Sequence, residues 1–134
     1  MNRLSTLLLL LLLGLTACQR NDLPPGVATP GVATPNLTAC GVRDPVQNLP
    51  WLRDRIRTLA AGKDAGAWQV TMTQFNGQAV FQLYALYMSC LVCSVYDCQG
   101  NLLDQSRLTT AGRQTLVRQF TTEGQYVTIW RGRS

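Results

Sequence analysis

The chain has 134 residues, 46% of them hydrophobic, with 12 Lys plus Arg against 7 Asp plus Glu and no histidine. The hydrophobic content excludes a wholly disordered chain, and the length fits one ordinary domain rather than two. The net charge of +5 is carried by arginine, with Lys63 the single lysine; it is too thin for the basic stripe of a nucleic-acid binder, and the lack of histidine excludes Ser-His-Asp and Cys-His nucleophile pairs.

Arg3 precedes an apolar run over residues 4–15 that includes consecutive leucines at 7–13, the charge-then-apolar order of a secretory signal. The run falls well short of the roughly 20 residues that a membrane-spanning helix needs. Leu15-Thr16-Ala17-Cys18 then resembles the lipobox of bacterial lipoproteins. That resemblance implies a signal peptide over residues 1–17, cleavage before Cys18, and lipidation of Cys18 by palmitate-like chains. Several acyl chains on one residue hold a protein to a bilayer far more firmly than one. An ordinary signal peptide with a free cysteine nearby is the plainer alternative. Gln19 stands where inner-membrane retention signals carry Asp, which implies an outer-membrane address in the bacterial cell envelope. Nucleic acid is not an expected partner there, so the positive charge reads as solvated surface.

Residues 18–39 read as a tether. Two tandem copies of Gly-Val-Ala-Thr-Pro at residues 26–35 follow Leu23-Pro24-Pro25; prolines at this density forbid a helix and favour a semi-extended chain. Two copies are too few for a solenoid. The domain proper is expected over residues 40–134.

From Asn48 the pattern becomes helical. Asn48 or Leu49 stands at the cap, Pro50 in the first turn, and Leu52, Ile56, Leu59 and Ala60 recur at helical spacing until Gly62. About three amphipathic turns are predicted, with Arg53, Arg55 and Arg57 outward. Asn76-Gly77 between apolar runs then predicts a two-residue type I′ hairpin. This turn sets Trp68 opposite Ala85, Val70 opposite Leu83 and Met72 opposite Phe81 on an apolar face. Gln69 with Tyr84, Thr71 with Gln82 and Thr73 with Val80 fall on the other face, which is largely polar. Asp97 and Gly100 fit a type I turn closing a second hairpin, and residues 126–130 alternate as a last strand. Residues 109–120 read as a loop with about two helical turns, because Gly112 and the threonines weaken the helical pattern. The expected fold is α+β, one N-terminal helix packed on a roughly five-stranded antiparallel sheet.

With Cys18 lipidated, Cys40, Cys90, Cys93 and Cys98 remain. An even number in an exported domain reads first as two disulfides, in any of three pairings. Chain entropy gives about 4 kcal/mol for a Cys40–Cys98 bridge and about 2 kcal/mol for a local Cys90–Cys93 bridge. Joining Cys40 to the cluster is preferred because it would clamp the helix start onto the sheet. The alternatives are a four-thiolate zinc or iron–sulfur site, which lacks a second C-x-x-C, and a redox Cys90-Leu91-Val92-Cys93, which lacks the βαβ setting and helix N-terminus of such motifs. Asp97 and Asp104 are the carboxylates that spacing offers for acid/base work, but one has a turn-forming explanation and the other that of a strand end.

Cys40-Gly41, Asp44-Pro45, Asn48-Leu49-Pro50-Trp51-Leu52, Phe75-Asn76-Gly77-Gln78-Ala79-Val80-Phe81 and Val95-Tyr96-Asp97-Cys98-Gln99-Gly100-Asn101 together resemble small bacterial lipoproteins carrying a domain of unknown function. The resemblance covers most of residues 40–104. It rests on the Leu-Pro-Trp-Leu helix start and the Tyr-Asp-Cys-x-Gly-Asn turn, and implies a shared fold without an activity to carry over. The chain departs from the pattern over residues 109–118, where the group is richer in glycine and cysteine.

The functional expectation is a non-catalytic binding or spacer module, anchored to the membrane at Cys18 and meeting an envelope protein or a small ligand. No cofactor is expected. A helix on one sheet face leaves the other open, and Thr71, Thr73, Gln82 and Tyr84 would line it as the natural binding face, against the blander reading of a plain solvated sheet. The competing class is a thiol–disulfide or metal-binding protein that uses Cys90, Cys93 and Cys98.

Overall fold

A computed structural model describes residues 37 to 133. The expected signal peptide, Cys18 and the expected tether as far as residue 36 lie outside the described residues. The first element among the described residues is β1 (Thr38–Ala39), which pairs antiparallel with β2 (Val42–Arg43). Cys40 and Gly41 form the two-residue turn between them, both at positive φ (54° and 75°), the conformation that a tight hairpin turn demands.

Two helices follow almost without a break, α1 (Pro45–Asn48) and α2 (Pro50–Ala60). Pro50 opens α2 at a position where its missing N–H removes no helical hydrogen bond. Leu49 occupies the cap position without a side-chain cap bond. Leu52 and Ile56, one turn apart, are fully buried, each contributing on the order of 1.5–3 kcal/mol. Asp54 sits on the opposite side between Arg53 (3.3 Å) and Arg57 (3.7 Å).

A four-stranded antiparallel sheet of order β5-β4-β3-β6 carries the rest. It comprises β3 (Trp68–Phe75), β4 (Gln78–Ala85), β5 (Val95–Tyr96) and β6 (Val127–Arg131). The β3–β4 register is the one that the Asn76-Gly77 turn predicts, from Trp68 opposite Ala85 to Phe75 opposite Gln78. Asn76 and Gly77 both take positive φ (51° and 77°). Val70, Met72, Phe81 and Leu83 pack under Val46, Leu49, Leu52 and Ile56. Ile129 and Trp130 join the same core, since a bulge opposite Val70 and Thr71 shifts the register of β6.

Two expectations are corrected. The sheet has four strands, not five, because the return arm of the second hairpin makes a single bridge, Tyr96 with Leu102, before the chain turns away. Three α-helices, not one, occur among the described residues. The third, α3 (Thr110–Thr121), is a 12-residue helix where a loop with about two helical turns was expected. Thr109 Oγ accepts from Gly112 N–H at 3.1 Å, so one of the threonines counted against the helix is its cap.

Leu116 and Phe120, one turn apart on α3, bury against Phe75, Val80 and Val95. This helix covers the sheet face that was expected to stay open. Thr71, Thr73 and Gln82 are buried there, and only Tyr84 stays partly exposed. Their polar atoms are bonded inside the protein, as buried polar atoms must be. Thr71 donates to Gln82 Oε1 (3.0 Å), Gln82 Nε2 to Leu91 O, Thr73 to Gln125 O (2.6 Å), and Tyr84 to Met88 O (3.1 Å). Replacing Leu116 by alanine removes the centre of this second layer. The expected loss is about 2–5 kcal/mol by urea unfolding under oxidising conditions; a loss of a few tenths would mean that α3 does not close the sheet.

Candidate functional site

The cysteines pair as Cys40–Cys98 and Cys90–Cys93. The first bridge ties the β1–β2 turn to the turn after β5, as the preferred pairing of Cys40 with the cluster requires. Trp51 lies beside it. Its indole N–H donates to Cys98 O at 3.0 Å, and its ring packs on Phe81 edge-on and on Tyr96 tilted, both at 5.7 Å between centroids. Arg55, one turn further along α2, stands over the outer face of this group, 5.8 Å from the Tyr96 ring centre.

Asp97 builds the adjoining turn. Its Oδ1 accepts from the N–H groups of Gln99 and Asn101, both at 2.9 Å, and its Oδ2 from the Asn101 side chain at 3.0 Å. Desolvation pushes the Asp97 carboxyl up, but the bonds from Asn101, Gln99 and Gly100 outweigh it and hold the group below its usual value. Asp104 accepts from Ser106 and caps a 3-10 turn, Gln105–Arg107. Each carboxylate is therefore occupied by its own turn.

The helix start and the turn singled out by the resemblance thus meet in space as one structural joint. Gly100 has φ 83°, and a Cβ there would lie 2.7 Å from Trp51 Cγ. Gly100→Ala is expected to cost about 2–4 kcal/mol, combining left-handed backbone strain with overpacking. Thermal unfolding of the oxidised protein measures it, and an unchanged midpoint would contradict the close Trp51 contact.

The second bridge lies within the loop at residues 86–94. Leu91 O and Val92 O, the carbonyls between its two cysteines, accept from the side chains of Gln82 and Gln105. Cys93 is exposed and Cys90 half-buried. Leu86, Tyr87 and Leu91 stand out at 70%, 65% and 45% exposure. At the loop's start, Tyr87 OH donates to Asp64 Oδ2 (2.5 Å), which also accepts from Trp68 Nε1 (3.1 Å). The Tyr87 bond, seconded by Trp68, holds the Asp64 carboxyl below its ordinary value, while the same bond raises the Tyr87 hydroxyl.

Between the polar sheet face, this loop and α3 lies a cleft of about 230 Å³. Thr71, Gln82 and Tyr84 of the expected binding face line it, and Thr73 does not. Gln69, the cross-strand partner of Tyr84, extends the floor. Phe120, Thr121 and Tyr126 form a wall and Leu91 the rim. Gln69 was visible in the predicted register; the wall and the rim depend on α3 and on the Cys90–Cys93 loop, and carry no signal of their own in the chain.

No group of three or more His, Cys, Asp or Glu side chains among the described residues is arranged to hold a metal ion. Nor is any helix among them long and apolar enough to cross a membrane. Comparison with protein-family models, with curated proteins and with solved structures finds no match.

Proposed function

We propose that the chain is a lipoprotein of the bacterial cell envelope, anchored through Cys18 to the outer membrane, whose disulfide-closed domain binds an envelope protein or a small ligand without catalysis. The observation that carries this reading is the complete pairing of Cys40, Cys90, Cys93 and Cys98. Two bridges in so small a domain belong to an oxidising compartment, in keeping with a leader and a lipobox-like Leu15-Thr16-Ala17-Cys18 upstream. Pairing also leaves Cys18 as the one cysteine available for acylation. The polar side chains around the cleft are held by internal hydrogen bonds, which suits recognition by shape better than proton transfer.

A second reading, a thiol–disulfide carrier, draws on the exposed Cys93 within a closed C-x-x-C bridge. It requires Cys90 and Cys93 to cycle at a potential near that of the surrounding thiol pool.

Labelling with palmitate in a bacterial host tests the anchor. The wild-type protein is expected to take the label and to sediment with outer membranes, while Cys18→Ala is unlabelled and leaves that fraction. Equal labelling of both proteins, or recovery of the uncleaved wild type from the cytosol, would overturn the reading.

A further inference from the structure

We infer that the cleft between the sheet and α3 is a binding site for a single neutral sugar ring. The inference deepens the binding function proposed above and rests on it. Size is the first constraint. At about 230 Å³ the cleft lies below the roughly 300 Å³ at which pockets for drug-sized ligands begin. One ring fits, and an oligomer would have to extend past the rim.

Charge is the second constraint. No charged side chain lines the cleft. Arg131 reaches Gln69 Oε1 at 3.4 Å but is not part of the lining. An ion entering from water would lose hydration with no opposite charge to replace it, so the site selects neutral molecules.

The remaining polar capacity gives the chemistry. One N–H of Gln82 Nε2 donates to Leu91 O, which leaves the second N–H as a donor. Thr71 and Tyr84 donate to Gln82 and Met88, leaving lone pairs on both hydroxyl oxygens to accept. One donor and two acceptors therefore share a floor only two cross-strand pairs wide, Gln69 with Tyr84 and Thr71 with Gln82. A ligand rich in hydroxyl groups, each able to donate and accept, satisfies such a floor. Tyr84, Phe120 and Tyr126 add aromatic surface for the C–H faces of a pyranose. A purely apolar ligand would leave the floor's remaining hydrogen-bonding capacity unused.

The test is ¹H–¹⁵N NMR on the full chain, titrated separately with N-acetylglucosamine, methyl glucoside, glucuronate and benzyl alcohol. One or both neutral sugars are expected to shift the amides of residues 69–71, 82–84 and 120–126, with glucuronate and benzyl alcohol inert. Leu91→Trp, a change at a largely exposed rim position, fills the cleft and should abolish the shifts, while Tyr126→Ala should weaken binding by about tenfold. Shifts at these amides with glucuronate or benzyl alcohol but not with the sugars would overturn the sugar assignment and leave a binding cleft in place. No shift there with any probe, or sugar shifts that survive Leu91→Trp, would overturn the site itself. Loss of palmitate labelling at Cys18 would strike the envelope reading alone.

Discussion

The covalent bond between Cys40 and Cys98 is the constraint on which the rest of the domain depends. It spans 58 residues of sequence and removes about 4 kcal/mol worth of freedom from the unfolded chain. Small domains retain only about 5–15 kcal/mol of net stability, so this single closure is a large share. It also acts locally. The bridge brings the first hairpin against the turn after β5, where Trp51 has its indole bonded to Cys98 O and its ring over Gly100. Helix α2 is thereby fixed at its first turn, and its Leu52 and Ile56 meet the sheet in one orientation.

From that joint the two faces of the sheet follow different physics. The face under α2 is held by apolar burial, with Val70, Phe81 and Leu83 against the helix. The opposite face mixes Phe75 and Val80 with Thr71, Thr73 and Gln82, and its polar groups reach out to the β4–β5 loop and to the segment after α3. Those bonds offset the desolvation that burial imposes. A cleft of about 230 Å³ with a polar floor lies on this face.

Much of this fold was legible in the chain. Asn76-Gly77 determined the register of the central hairpin, since both residues must take positive φ and a slip of one residue would exchange the faces. The apolar stripe of α2 followed from Leu52 and Ile56. What escaped shows the limits of pattern. Alternation marks Thr71, Thr73 and Gln82 as polar, but a polar side chain bonded internally and one bonded to water look alike in a sequence. Helix α3 was hidden because Gly112 and the threonines argue against it by intrinsic propensity, while a Thr109 cap and the packing of Leu116 and Phe120 override that preference. The Cys40-Gly41 turn carries no alternation to announce it, because the strands it joins are only two residues long each. The missing fifth strand is a matter of continuation: the Asp97 turn reverses the chain, but Leu102 is largely exposed and the next residues coil into a 3-10 turn capped by Asp104.

Peptide mapping of the protein digested without reduction, with free thiols blocked beforehand, tests the central closure most directly. The account predicts two linked pairs, Cys40 with Cys98 and Cys90 with Cys93, and no blocked cysteine among the four. Cys40 found as a free thiol, or joined to Cys90 or Cys93, would contradict it.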